Sequence, residues 1–426
     1  MKQLWACTVV LIAAAVALPG GAVAGQSSQP SSPLAGKITA GDVHSCVVLA
    51  PGARCWGFGG NGRLGYGNVT SIGDDETPGF AGPVDVGAGR TINVIAAGDN
   101  HTCALLDDGT VRCWGFGGNG RLGYGTTTDI GDNESPGSAG AVSLGGTAIA
   151  ISAGEAHTCA VLTGGAVRCW GYGRAGQLGY GNIADVGDDE VPSAVAPVDL
   201  GGAKAVTVTV GDSHTCVLLD TGSVRCWGFA GYGQLGLGFV PPGENPIIGD
   251  NEAPGSVDPV DLGAGRTATA ISAGGLHTCA VLDTKQVRCW GFAGNGQLGY
   301  GNMTNIGDDE DPAAAGPVNL GTVPSATSVS AAREHTCVLL ENGNVYCWGA
   351  ASFSRLGYPG ASNIGDNETP ASVGPVDLGA GRTAVAIATG EWHNCALLDN
   401  GVRCWGFGAN GRLGYCNEAT IGDDEV

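Results

Sequence analysis

The sequence predicts an all-β fold: a single seven-bladed β-propeller of about four short strands per blade, with a disulfide inside each blade. Three features of the 426 residues carry that expectation. A unit of nearly constant length is written out seven times. Turn formers are abundant, with 78 glycines and 20 prolines, yet 43% of residues are hydrophobic, too many for a disordered chain. Cysteines recur in evenly spaced pairs. Glycine inside a helix costs about 1 kcal/mol relative to alanine, so a glycine-rich but apolar chain favours short strands between turns.

In chain order, residues 1–24 read as an export signal. Lys2 gives a positive start, Leu4 to Leu18 is apolar, and Ala22-Val23-Ala24 is a small-residue cleavage site. Residues 25–36 read as a short linker and 37–426 as the propeller. No later segment has the roughly 18 uninterrupted apolar residues of a membrane helix. The mature chain is expected to be secreted or periplasmic, and monomeric. Its 40 acidic residues against 19 basic ones, a net charge of −21, disfavour nucleic acid and anionic membranes as partners.

The clearest copy of the unit runs from His101 through Thr102-Cys103-Ala104-Leu105-Leu106, a turn at Asp107-Asp108-Gly109, and Val111-Arg112-Cys113-Trp114-Gly115. Its histidine recurs at 44, 157, 214, 277, 335 and 393, so all seven histidines of the protein occupy this one position. A glycine-rich stretch follows, then an acidic turn, a strand-like Pro-Val-Asp-Leu-Gly, and a small apolar strand such as Ala384-Val385-Ala386-Ile387-Ala388. Four strands per unit at this period match propeller blades, which bury both faces of each sheet by packing radially. Six Pro-Val-Asp-Leu-like segments are visible, from Pro83, Ala141, Pro197, Pro259, Pro317 and Pro375, against seven histidine hairpins. Either residues near Pro33 to Ile38 complete a blade, or one blade is a strand short.

Fourteen cysteines pair within the units: Cys46 with Cys55, Cys103 with Cys113, Cys159 with Cys169, Cys216 with Cys226, Cys279 with Cys289, Cys337 with Cys347, and Cys395 with Cys404. A three-residue turn with Gly109 in the left-handed position sets Cys103 opposite Cys113, a separation that suits a bridge. The pairs 46/55 and 395/404 are one residue closer and need a different turn. Zinc is the competing use of His-x-Cys, but seven identical zinc sites in an exported protein are not expected. Cys416 stands where other units have glycine, as a free or intermolecular thiol or as drift in the last repeat.

The run Gly-x-x-His-Thr-Cys-Ala-Leu, then Gly-x-Val-x-Cys-Trp-Gly and Asn-Gly-(Arg/Gln)-Leu-Gly, resembles the regulator of chromosome condensation repeat, across essentially the whole mature chain. The resemblance implies a seven-bladed propeller. One nuclear member of that family is an exchange factor for a small GTPase. A secreted bacterial branch includes propellers that inhibit β-lactamases by protein–protein contact, and the export signal and cysteine pairs here look closer to that branch. No counterpart of the exchange factor's wedge is visible, so none of its catalytic residues is carried over.

Several residue sets invite a functional reading. Acidic turns recur at Asp74-Asp75-Glu76 and from Asp132, Asp188, Asp250, Asp308, Asp366 and Asp423; they hold 18 of the 40 acidic residues and dominate the charge. Calcium could use such oxygens, but the spacing matches no calcium loop, and a solvating turn is the favoured reading. Asp42, Asp99, Glu155, Asp212 and Glu391 lie two residues before a histidine. An acid–base pair there would be repeated around the ring, which speaks for a scaffold in which the histidines hydrogen-bond between blades. The seven Cys-Trp-Gly tryptophans read as core between blades.

Function is therefore sought where the repeat is broken. The fourth unit is longest, with an insertion bearing Phe239, Val240, Pro241, Pro242 and Glu244; the sixth carries Phe353 in its glycine-rich loop; and Trp392 precedes the last histidine. These are the candidate partner-binding residues, because rigid apolar groups lose little entropy on binding. The expected function is a non-enzymatic binding scaffold for a protein or peptide, with no cofactor. The alternatives are an exchange factor by family analogy and an extracellular hydrolase or lyase, which would need an unrepeated carboxylate pair in a cleft.

Overall fold

The computed structural model describes residues 37–240, 246–322 and 325–422. They form seven separate antiparallel sheets, each built from consecutive residues. In the second blade the order from the axis outward is Ile92–Ala97, His101–Leu106 and Val111–Gly115. The middle strand is buried along its whole length on both faces, which is why His-Thr-Cys-Ala-Leu-Leu shows no polar alternation. No helix among the described residues is long and apolar enough to cross a membrane.

The cysteines sit directly opposite one another in all seven hairpins, bridged with Cα atoms 4.0–4.1 Å apart. The two shorter spacings lose their residue from the turn and not from the strands. Leu49 pairs Gly52 and Leu398 pairs Gly401 across two-residue turns, and the cysteine register is unchanged. With its cysteines bridged and its histidine turned to a neighbouring hydroxyl or, for His335, to the Asn394 amide oxygen, the His-x-Cys unit offers no zinc site. Cys416 takes a left-handed φ of 61° and is not a free thiol.

The fourth position of the blade differs from the expectation. The Pro-Val-Asp-Leu segments are not strands. Val84 donates one hydrogen bond to the Ala53 carbonyl (2.8 Å), and the chain then peels away toward the next blade, proline having no N–H to extend the ladder. The outer edge of the third strand is covered piecewise instead. Ile72 bridges Gly57 at one end, the Tyr66 hydroxyl bonds both the N–H and the carbonyl of Cys55 midway, and Val84 covers the other end. Among the described residues only the fourth blade has a true outer strand there, Ile247–Ile248.

Ring closure follows from the same geometry. Ile38–Ala40 is the inner strand of the first blade, so every blade has its three strands without sharing any between the chain ends. Val402 is partly exposed, while its counterparts Val111, Val167, Val224, Val287 and Val345 are fully buried.

Blades are joined by one repeated seam. Arg63 of the first blade offers its carbonyl to the Thr102 hydroxyl (2.9 Å) and to Trp114 Nε1 (2.9 Å) of the second. Thr102 has spent its proton on that carbonyl, so it accepts from His44 Nε2–H at 2.8 Å. The pattern continues around the ring, except that His335 donates to the Asn394 amide oxygen at 2.7 Å, and at the join of the seventh blade to the first His393 meets the Ser45 hydroxyl at 2.6 Å. Burial pushes the histidines far down, to about 3 for His44 and about 4 for His214, so they are neutral Nε2–H donors. Glycine is obligatory where loops of adjacent blades touch: a Cβ on Gly62 would lie 2.1 Å from the Gly131 carbonyl carbon.

Candidate functional site at the histidine end

Each hairpin has a histidine end and a turn end, because His44 pairs Gly57 while Leu49 pairs Gly52. The loops before the histidine and after Cys-Trp-Gly therefore emerge on one face of the propeller. Nearest the axis are the residues two places before each histidine, which in blade order are Asp42, Asp99, Glu155, Asp212, Gly275, Arg333 and Glu391. They crowd the axial opening, where a cavity of about 200 Å³ is lined by all seven blades.

This ring is asymmetric. Arg333 reaches two carboxylates, Asp212 at 3.5 Å and Glu391 at 3.4 Å. The reach to Asp212 passes over Gly275, where a Cβ would come within 2.8 Å of the Arg333 side chain. Asp99 and Glu155, on the neighbouring second and third blades, line the same cavity, and no side-chain hydrogen bond or ion pair within the described residues engages their carboxylates. Burial, and then the charges of Asp212, Asp42, Glu155 and Glu391, push Asp99 up to about 8. Glu391 rises to about 7 through burial and its contact with Asp42, against the pull of Arg333. Burial raises Asp212 to about 6, with Arg333 opposing. The carboxylates do not pair with the histidines next to them in sequence, whose rings point into the seams, so the acid–base pair does not form.

Around the acidic centre stands a set of aromatic side chains. The residue after Cys-Trp-Gly is Phe58, Phe116, Tyr172, Phe229, Phe292 and Phe407 in six blades, and Ala350 in the sixth. Arg63, Arg121 and Arg412 stack on Phe58, Phe116 and Phe407 at 4.9–5.0 Å. Their guanidinium groups also bond loop carbonyls, Arg63 to Gly60 (2.8 Å) and Asp99 (3.0 Å), which fixes the rings in place.

Blade six compensates for its alanine. Phe353 occupies the left-handed position held by Asn61, Asn119 and Asn410 elsewhere, at φ 60°, and Ser354 follows at φ 59° where those blades have glycine. Two consecutive side chains in this region are strained, and strain of that kind concentrates at functional surfaces. The Phe353 ring meets Trp392 at 5.2 Å and Phe407 at 4.7 Å, yet stays 48% exposed. Arg355, buried beneath, stacks on Trp392 at 4.5 Å and bonds the Glu391 carbonyl. A second group joins Phe229, Tyr232 and Phe292.

The structure thus brings Phe353 and Trp392 into one patch beside the axial carboxylates. Phe239 and Val240 are exposed on the fourth blade, apart from that patch. Pro241, Pro242 and Glu244 lie outside the described residues. Phe407 and the other aromatics after Cys-Trp-Gly were not among the sequence candidates. An aromatic follows Cys-Trp-Gly in six of the seven repeats, so it did not stand out as a break in the pattern. Of the acidic turns, Asp74-Asp75-Glu76, Asp188-Asp189-Glu190 and Asp308-Asp309-Glu310 bring ligand oxygens within 4.8 Å of one another. Burial and the adjacent aspartates push Glu76 and Glu310 up to about 7. The turn at Asp423 lies outside the described residues.

Comparison with known proteins places this geometry in a family. The RCC1-like domain model matches residues 90–423, and the regulator of chromosome condensation (RCC1) repeat matches 55–105. The ultraviolet-B receptor UVR8 of Arabidopsis thaliana is 30% identical over 381 residues, covering 88% of this chain and 78% of that one. The mitochondrial RCC1 domain-containing protein RUG3 of the same plant is 29% identical over 85% of this chain and 76% of its own. Among solved structures, yeast RCC1 (Prp20) bound to Kap60 superposes with a TM-score of 0.66 at 20% identity, covering 96% and 88% of the two chains. A structure of Prp20p from Saccharomyces cerevisiae, described with its binding properties to Gsp1p and histones, gives 0.64 at 20% identity over 94% and 89%.

Proposed function

The chain belongs to the RCC1-like propeller family, and from that premise we propose that it is an exported, non-enzymatic binding scaffold that holds a protein or peptide partner against its histidine-end face. The observation that carries this reading is the rigidly backed aromatic patch in which exposed Phe353 rests against half-buried Trp392 and Phe407. Exposed aromatics on a fixed scaffold supply contact area at little entropic cost, and anchors of this kind dominate protein interfaces. The family resemblance agrees, since proteins of this fold are described with protein partners. Export is supported by the layout of residues 1–24 and by seven bridged cysteine pairs, which belong to an oxidising compartment. The secreted branch of the family fits that compartment best.

The test is affinity capture from the producing organism's own secretions, using the mature chain, a version lacking 239–246, and a Phe353→Ala/Trp392→Ala/Phe407→Ala variant. A partner held by the first two and released by the third supports the reading. A partner retained by the aromatic variant moves the binding surface elsewhere, and one lost only with 239–246 moves it to the fourth blade.

A further inference from the structure

The axial carboxylates and the aromatic patch form one continuous surface. Glu391 is a member of the acidic ring, Trp392 follows it in sequence, and the Phe353 ring lies on Trp392. Resting on the scaffold reading above, we propose that the partner segment carries a lysine or arginine that enters the axial opening between Asp99 and Glu155, while its apolar neighbours lie on Phe353, Trp392 and Phe407.

The chemistry is already displayed within the chain. Arg333 enters the same opening and satisfies Asp212 and Glu391, which shows that a guanidinium fits among these carboxylates. It makes no ion pair with Asp99 or Glu155, which it and the stacked Arg63 and Arg121 attract only from a longer distance. The six charged side chains at the ring positions are five carboxylates and one cation, a formal excess of −4 around a cavity of about 200 Å³. Asp99 and Glu155 are brought together by neighbouring blades and gain no compensating proton donor there. Such crowding is costly for the free protein and is relieved by an incoming cation, so complementarity here selects a basic segment over a neutral or acidic one. The aromatic rim adds attraction for the same cation, because ring faces are electron-rich.

Three acetylated, amidated peptides serve as probes: alternating Leu-Lys, Leu-Gln and Leu-Glu hexamers, titrated into the intact mature protein at 150 mM salt. That salt screens charges beyond roughly 8 Å, which suppresses the diffuse pull of the acidic surface. The lysine peptide is expected to bind at least tenfold more tightly than the glutamine peptide. Asp99→Asn/Glu155→Gln should bring the two to within twofold of each other, and Phe353→Ala should weaken both by a similar factor. A lysine preference that survives the double substitution overturns the axial assignment, as does equal binding of all three peptides. Binding that ignores Phe353→Ala, Trp392→Ala and Phe407→Ala refutes the scaffold reading itself, so the two failures are distinct. Asp99→Asn relieves charge crowding and should not impair folding, which thermal melting of each variant verifies.

Discussion

Replacing Thr102 by valine tests the seam that closes the ring. Valine keeps the volume but can neither accept from His44 Nε2–H, now 2.8 Å away, nor donate to the Arg63 carbonyl at 2.9 Å. The His44 N–H is left buried without a partner, costing about 1–3 kcal/mol, and the lost hydroxyl–carbonyl bond adds about 1 kcal/mol. The Arg63 carbonyl keeps Trp114 Nε1, so the loss should stop near 2–4 kcal/mol. With an unfolding entropy of about 2.1 cal/mol/K per residue, a domain of this size should melt about 3–5 °C lower. Thr102→Ser retains both bonds and is the control; the natural Ser45 at the equivalent position shows that serine fits. Differential scanning calorimetry under non-reducing conditions reads the effect. A valine variant within 1 °C of the parent, or a serine variant as unstable as valine, would refute the idea that these hydroxyls bind the blades together.

The other expectations concern sulfur, protons and glycine. Cys103→Ala/Cys113→Ala should lower stability by about 2–3 kcal/mol, the loop-closure value for a hairpin of this length, and alkylation without reductant should leave all fourteen paired cysteines unmodified by mass spectrometry. Burial pushes every seam histidine down in the fold, His44 to about 3 and His214 to about 4, against about 6.5 when unfolded, so the unfolded chain binds more protons between those values. Stability should therefore be fully present above pH 6.5 and fall steadily as pH drops toward 4, measured by urea midpoints; a flat profile would contradict neutral seam histidines. Asp99 has the opposite sign. Its raised value means the folded state holds the extra proton between about pH 4 and 8, so Asp99→Asn should raise the unfolding free energy from urea titrations at pH 8 by roughly 1–3 kcal/mol, with less gain at pH 5. Gly62→Ala should destabilise by more than 2 kcal/mol in thermal melts, because its Cβ would collide with the backbone of the next blade.

Much of the fold was legible because each blade is written locally. The histidine and cysteine spacings set the number of hairpins, and the three-residue turn at Asp107-Asp108-Gly109 set the cysteine register, confirmed by Cys103 facing Cys113. The fourth strand was misplaced because Pro-Val-Asp-Leu has the alternation of a strand. Val84 and Val86 are indeed buried in turn, but proline and the crossing to the next blade prevent a ladder. Phe353 and Trp392 stood out as breaks in the repeat, whereas Phe407 did not, since an aromatic follows Cys-Trp-Gly almost everywhere.

The sequence by itself determined seven disulfide-clasped hairpins and the excess of negative charge, since these depend on residues close together in the chain. Only the tertiary structure decided that Asp99, Glu155, Asp212, Arg333 and Glu391 meet at one opening beside Phe353 and Trp392. Those residues come from different repeats, and a charge acts on its neighbours through space. Closing the ring converts a repeated position into an asymmetric site, in which a single glycine and a single arginine set the charge that a partner meets.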